Sequence, residues 1–283
     1  AINLVWLALK VSFVVYEGFT RPVFAWDSWV NWSAGAKAFY FDRGLMLRAS
    51  GEEFFGGVYR PFLGHPVHFP LLQVWSAGWL NGFNEAYVKA WSAFYYISLL
   101  GVTFTAVRRE AGGFYALVAA FALSAAPLPV FHAIDAYSDM LLGYYSLCAA
   151  IFLFRYGDGG KRTSLTLCSG FIALGLLTKN EGIIFAAAAV FALLLHVLIN
   201  KKGLRDAALG FLPAIVILTL PWFAFKSYYS FGFGHTGGSL NWLSDPKYGQ
   251  GAGTIHWEVL VPALREFFLR ANFGLIFPFW LFV

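Results

Sequence analysis

The sequence predicts an all-α, polytopic membrane protein with about eight transmembrane helices. Two observations predict this class. Of the 283 residues, 59% are hydrophobic and only 12% are charged, whereas soluble globular proteins carry about 25% charged residues. Between the charges lie several uncharged stretches whose length is close to the roughly 20 residues that a helix needs to cross the hydrocarbon layer. This composition excludes a disordered chain and argues against a soluble enzyme.

Eight stretches are predicted to span the membrane. A lysine at mid-membrane is costly, so Lys10 is expected to reach the surface or face the bundle interior, and Lys89 is the other lysine within a span. The last span begins near Val259 and is interrupted by charges. The predicted spans are residues 1–16, 86–107, 111–134, 140–154, 163–178, 182–200, 207–225 and a stretch from 259 onward.

The two ends of the sequence predict a piece of a longer protein. The first residue is Ala1 and the hydrophobic stretch has already begun there, while residues 271–283 are uncharged and stop within a span. We therefore expect residues 1–283 to form a single transmembrane domain that is incomplete at both ends.

The basic residues predict the orientation. Eight lysines and arginines lie in the short loops after the second, fourth and sixth spans, and the intervening short loops carry fewer. Basic loops stay in the cytoplasm. Residues 17–84 and the glycine-rich loop 227–258 are therefore predicted to be extracytoplasmic, and the glycine-rich loop is a candidate lid. The eight residues are Arg108, Arg109, Arg155, Lys161, Arg162, Lys201, Lys202 and Arg205.

The first extracytoplasmic loop, residues 17–84, is predicted to contain two interfacial helices. Residues 29–41 and 71–83 are amphipathic and rich in tryptophan, which is typical of helices that lie in the headgroup layer. Asp27 precedes the first of them, between Trp26 and Trp29. A carboxylate partly removed from water by two indoles suits a general base. Asp27 is equally well placed to cap the following helix, and the two roles are compatible.

Further charged residues are predicted at the same face. Asp139 lies where the fourth span begins, and Lys179 and Glu181 lie in the turn between the fifth and sixth spans. An ammonium between two apolar helices is a natural partner for a phosphate, and an ion pair with Glu181 is the competing interpretation. His65 and His68 flank a proline and could bind a substrate or a metal, although hydrogen-bonded loop residues are the commoner outcome.

This arrangement resembles the GT-C superfamily of membrane glycosyltransferases, above all the protein O-mannosyltransferase and aminoarabinose-transferase type. The resemblance covers about residues 1–225. Its features are Asp27 after the first span, a His-Pro turn into a surface helix at residues 65–72, Asp139 at the start of a later span, and the Leu-Thr-Lys turn at residues 177–179. Many members carry Asp-Glu or Asp-x-Asp in the first loop, whereas Asp27 is followed here by Ser28 and Trp29.

The resemblance implies an inverting transfer of a sugar from a polyprenyl-phosphate lipid to the hydroxyl of a lipid, glycan or protein acceptor. Asp27 would accept the proton of that hydroxyl, and Lys179, assisted by Arg60, would stabilise the leaving phosphate. Asp139, Glu181, His65 and His68 complete the candidate substrate-binding set. A divalent metal stays open as a cofactor, and membrane lipids but no nucleic acid are the expected partners.

Two other functions remain as alternatives. A transporter or flippase would place charges at mid-membrane and show internal repeats, whereas the acidic residues here gather at one face. A non-catalytic membrane subunit of a larger complex is the third hypothesis.

Overall fold

A computed structural model describes residues 2–45, 65–200 and 204–229. Within these ranges all regular secondary structure is helical. The elements are α1 (Ile2–Thr20), a π-helical segment (Ser28–Ser33), α2 (Ala34–Asp42), α3 (His68–Trp79), α4 (Glu85–Val88), α5 (Ala90–Ala111), α6 (Gly113–Ala125), α7 (Pro127–Ala133), α8 (Ser138–Gly157), α9 (Arg162–Thr178), α10 (Gly182–Ile199) and α11 (Leu204–Tyr228).

The described residues contain fewer candidate membrane-spanning helices than the eight predicted for the whole chain. In the described ranges, five helices are long and apolar enough to cross a membrane, and a bent pair brings the total to six. A further apolar helix, α9, has only 17 residues. The predicted number of eight is therefore not confirmed. The span expected from Val259 onward lies outside the described residues, as does the glycine-rich loop 227–258 apart from its first three residues.

The bent span consists of α6 and α7, which meet at an angle of 69°. Ala126 between them has an extended backbone (φ −67°, ψ 125°), and Pro127 is the first residue of α7. Proline lacks an amide hydrogen and disfavours the helical conformation in the residue before it, so α6 ends and α7 starts in a new direction. α7 therefore runs at a large angle to α6.

Two apolar clusters hold the bundle together. The first joins α1, α5, α7 and α8, and it includes the buried residues Tyr96, Leu141 and Ile134 together with Trp32 and Phe69 from the first outer segment. The second joins α8 to α9, α10 and α11 and includes Leu165, Ile172, Val197 and Phe211. Because Phe69 and Trp32 belong to the first cluster, the outer segment packs directly on the spanning helices.

The outer segment forms helices in both of the stretches predicted to be interfacial. Residues 26–42 are continuously helical, and α2 ends where Arg43 adopts a left-handed conformation (φ 55°). In α3, the indoles of Trp75 and Trp79 are 57% and 76% exposed. Exposed indoles on a short helix are typical of residues that lie at a membrane surface. The interfacial position of both helices stays a prediction.

Candidate functional site

Asp27 lies at the start of the π-helical segment, and two side chains one turn further on contact its carboxylate. Asn31 Nδ2 donates to Oδ1, and Trp32 Nε1 donates to Oδ2 at 3.0 Å. In a π-helix the repeating hydrogen bond joins residues i and i+5, and Asp27 and Trp32 have this spacing. The carboxylate makes no capping hydrogen bond. Its contacts are therefore to side chains, and the π-turn holds it in one orientation.

The indole environment of Asp27 differs from the expectation. Trp26 and Trp29, which flank it in sequence, are 73% and 57% exposed. Trp32 is the buried indole, at 2% exposure, and it is the one that hydrogen bonds to the carboxylate. Trp32 contacts the carboxylate although Trp26 and Trp29 are nearer in sequence, because the helix places positions 27 and 32 together.

Lys179, directly after α9, forms an ion pair with a residue in the first turn of α8. Its Nζ lies 2.8 Å from Asp139 Oδ1 and 3.7 Å from Glu181 Oε1. Burial alone would lower the pKa of Lys179, but the hydrogen bond and charge of Asp139, with smaller contributions from Glu181 and Asp27, raise it above its usual value. Lys179 is therefore a cation with a mainly buried side chain, and Asp139, not its neighbour Glu181, is its closest partner.

Asp27 and Lys179 belong to the same electrostatic environment. The charge of Asp27 contributes to the raised pKa of Lys179. Burial raises the pKa of Tyr137, and the charges of Asp27, Asp135 and Asp139 raise it further. The ring of His132 stacks on that of Tyr137 at 4.4 Å. The described residues thus bring together the predicted base, the predicted phosphate partner and Asp139 at one end of the bundle.

His65 joins the two halves of this cluster. Its ring lies 5.5 Å from the ring of Trp32, which hydrogen bonds to Asp27. Its Nδ1 also lies 3.5 Å from Asn180 Nδ2, next to Lys179. His65 therefore lies between Trp32 and Asn180, and its role in binding a substrate stays a prediction. Arg60, the predicted support for the phosphate, lies outside the described residues.

His68 contacts a different group of residues. Its Nε2 is 3.0 Å from the hydroxyl of Tyr145, which in turn contacts the hydroxyl of Tyr95 at 2.5 Å. Burial lowers the pKa of His68 to about 4. A shared metal site with His65 finds no support in this arrangement. In the described part of the chain, no three His, Cys, Asp or Glu side chains lie close enough together to hold a metal ion.

The lowered pKa of His68 has a measurable consequence. The ring is expected to stay neutral from pH 5 to 8, so its imidazole NMR signals should not titrate in that interval. Because the unfolded ring titrates near 6.5, the unfolded chain binds the proton first as the pH falls. The contribution of His68 to stability is therefore fully present above pH 6.5 and decreases between pH 6.5 and 4. A titration midpoint near 6.5 in the folded protein would contradict the burial of His68.

An apolar cavity of about 220 Å³ lies between α8, α9 and α10. Ser146 is the one polar residue among those that line it, and the others include Leu142, Leu153, Ile172, Ala188 and Ala192. Gly175 and Gly182 line its end nearest to Lys179. A Cβ atom on Gly182 would lie 2.7 Å from the backbone of Gly175, so only glycine permits this approach. The cavity therefore begins within one helical turn of the Lys179–Asp139 pair.

Sequence reasoning missed several residues of the site. Asn31, Trp32 and Asn180 were not selected, although Asn31 and Trp32 follow Asp27 at the four- and five-residue spacings that bring side chains together on one face of a helix. Lys89 was predicted only as a lysine within the second span. It is instead 1% exposed and donates to the backbone oxygen of Ile134 at 2.6 Å.

Comparison with solved structures places this fold. The crystal structure of ArnT from Cupriavidus metallidurans in the apo state matches with a TM-score of 0.64 and 18% identity over 98% of this chain. The structure of the same protein bound to undecaprenyl phosphate matches with a TM-score of 0.65 and 18% identity over 97% of this chain. The fold is that of ArnT. ArnT is an aminoarabinose transferase of the GT-C type, so the resemblance predicted from the sequence is confirmed at the level of the fold.

The likeness to ArnT has clear bounds. The chain spans about half the length of ArnT, since each comparison covers 50% of that protein. No protein-family model and no curated protein matches the sequence. The ArnT fold and the apolar helices together make this chain an integral, multi-pass membrane protein.

Proposed function

We propose that this chain belongs to a glycosyltransferase that moves a sugar from a polyprenyl-phosphate lipid to an acceptor hydroxyl. The observation that carries the proposal is the run of contacts from Asp27 through Trp32 and His65 to Asn180, next to Lys179. The apolar cavity begins within one helical turn of the Lys179–Asp139 pair. Such a transfer requires a base for the acceptor hydroxyl, a cation for the donor phosphate and an apolar cavity for the lipid chain. The ArnT crystal structure with undecaprenyl phosphate supports a lipid of this class.

The proposed reaction is a single displacement with inversion at the anomeric carbon. Asp27 accepts the proton of the acceptor hydroxyl while the oxygen of that hydroxyl forms a bond to the anomeric carbon. The bond between that carbon and the phosphate oxygen breaks, and the lipid phosphate leaves with the electron pair. Lys179 stabilises the charge that grows on the phosphate. Lys179 already pairs with Asp139 and Glu181. The phosphate therefore either shares Lys179 with these carboxylates or displaces one of them.

The proposed catalytic face is extracytoplasmic. The last turns of α5 and α8 contain basic residues. In α8 these lie at the opposite end of the helix from Asp139, the partner of Lys179. Basic loops are retained in the cytoplasm. The same one-sided distribution argues against alternating access, which needs charged groups near the middle of the membrane.

The proposed function is tested by transfer in reconstituted membranes. The complete protein is incorporated into liposomes together with a labelled polyprenyl-phosphate sugar and candidate lipid, glycan and protein acceptors. Covalent transfer of the label supports the proposal. Movement of solute or of the labelled lipid across the bilayer without a covalent product would support the transporter alternative and overturn the enzyme assignment. A sugar product that keeps the anomeric configuration of the donor would overturn the single displacement.

The apolar cavity is the proposed site of the first part of the prenyl chain. Ala188→Phe should fill it from α10 and raise the KM for the lipid donor by about threefold to tenfold. The expected effect is modest because the prenyl chain is in an apolar environment both in the bilayer and in the cavity. The cavity can therefore favour binding only through closer packing and alignment of the chain, and not through its removal from water. Ala187→Phe is the matched control, since Ala187 is exposed on the same helix and is not among the residues lining the cavity. Equal KM values for the two variants would contradict the assignment.

A further inference from the structure

Two buried charged side chains hold the short link between α1 and the helix that carries Asp27. Residues 22–25 of this link form neither helix nor strand, so their backbone groups need partners from elsewhere. The fully buried carboxylate of Asp135 accepts hydrogen bonds from Phe24 N at 3.2 Å and from Ala25 N at 2.7 Å. Ala25 lies two residues before Asp27. Asp135 therefore holds the link where it leads into the site.

Lys89 contacts the same link and also the turn that contains Asp135. Its Nζ donates to Ile134 O at 2.6 Å and to Pro22 O at 3.4 Å, and it lies 5.6 Å from the ring centre of Phe24. Lys89 is 1% exposed, and its charge interacts with that of Asp135. Both side chains therefore bind backbone groups of the same link, and removal of either one leaves buried backbone groups without a partner.

The same carboxylate also orders the segment that leads to Asp139. Asp135 Oδ1 accepts from Ala136 N at 2.7 Å, and α8 begins at Ser138 directly after this turn. Asp139 in the first turn of α8 pairs with Lys179. One buried carboxylate therefore connects the segment before Asp27 to the segment before Asp139.

We propose that Asp135 and Lys89 are positioning residues that set the separation between Asp27 and the Asp139–Lys179 pair. This inference rests on the proposed function, because that separation matters only if Asp27 and Lys179 act on one substrate. Their side chains bind backbone groups and have no role in the proton transfer. A displacement of about 1 Å of a reacting group can slow catalysis by about 10²-fold, so a loosened link should lower the rate without removing the donor site.

Asp135→Asn tests the proposal. The amide keeps the size of the side chain, but it removes the charge and replaces one acceptor oxygen with a donor. We expect kcat to fall by about 10- to 100-fold, while KM for the lipid donor stays within about threefold because Lys179 and the cavity are unchanged. We also expect amide hydrogen exchange in a peptide covering residues 22–26 to accelerate by about tenfold or more.

Two further substitutions complete the test. Lys89→Met should reproduce the loss in kcat, and Lys89→Arg should restore part of it by keeping the charge. Thr166→Val is the control, because Thr166 Oγ1 donates to Gly210 O at 3.1 Å between α9 and α11, at the opposite end of the bundle. Its kcat, KM and exchange in residues 22–26 should match those of the wild type.

Three outcomes would overturn the proposal. Unchanged exchange in Asp135→Asn would show that the carboxylate does not hold the link. Faster exchange with wild-type kcat would show that the link does not position Asp27. A parallel loss of kcat and donor binding with a lowered melting temperature would assign Asp135 to general stability. Absence of transfer in the wild type would instead overturn the proposed function, and exchange would still test the contact by itself.

Discussion

Asp27→Asn lowers the rate of sugar transfer by about 10²- to 10⁴-fold, which is the range expected for loss of a general base. The amide retains the shape of the carboxylate and one oxygen that can accept from Asn31 or Trp32, so the helical segment should stay folded. It can no longer take the proton from the acceptor hydroxyl. We expect the affinity for the polyprenyl-phosphate donor to be unchanged, as measured by binding of the labelled lipid to the purified variant.

The control for this substitution lies on the same helical stretch. Asp42 is the last residue of α2 and is exposed, so Asp42→Asn makes the same chemical change away from the site and should leave kcat unaltered. Full activity in Asp27→Asn would remove Asp27 from the mechanism. Equal losses in both variants would indicate a general effect of negative charge on the outer surface.

Lys179→Ala should lower kcat/KM by about 10²- to 10³-fold, the size expected when a group that stabilises developing negative charge is removed. Weaker binding of the lipid donor should account for part of the loss. The raised pKa of Lys179 means that it stays charged well above neutral pH. Its protonation therefore adds no step to the pH–rate profile until the pH exceeds its usual pKa of about 10.5. Steady-state kinetics and donor binding measure both effects.

A double variant separates two roles of Lys179: stabilising the phosphate and neutralising Asp139. If Lys179 acts on the phosphate, adding Asp139→Asn to Lys179→Ala should not restore transfer. Restoration would show that Lys179 serves only to neutralise Asp139. Lys37→Ala is the matched control, because Lys37 pairs with Glu85 at 3.1 Å and its side chain is 51% exposed, compared with 15% for Lys179. Unchanged binding and transfer in Lys179→Ala would contradict its assignment as the phosphate partner.

Hydropathy alone located the described spans. The helices at residues 2–20, 85–111 and 182–199 overlap the predicted spans 1–16, 86–107 and 182–200. The agreement has a physical reason, because a backbone in lipid must satisfy its hydrogen bonds within the segment and only a helix does so. Two features depart from straight, full-length spans: the bend of 69° between α6 and α7, and the short length of α9. Charge counting cannot reveal a change of direction inside an uncharged stretch.

The candidate site could be predicted only in part. Asp27, Asp139 and Lys179 were selected because each lies at the extracytoplasmic end of a predicted helix, and the described residues bring them together. His68 was also selected but bonds to Tyr145 elsewhere. Asn31 follows Asp27 at the usual helical spacing of four residues, but the contact with Trp32 depended on a π-turn, whose five-residue spacing the sequence does not indicate.

By itself, the sequence determined the class of the protein, the position of most described spans and the face on which the charges gather, because these follow from the cost of placing polar groups in lipid. The tertiary structure decided the partners. Lys179 pairs with Asp139, 40 residues away, more closely than with Glu181 nearby, and Asp135 binds amides 110 and 111 residues earlier in the chain. Such contacts arise when separate helices end at the same surface, and they depend on how the helices pack rather than on local sequence.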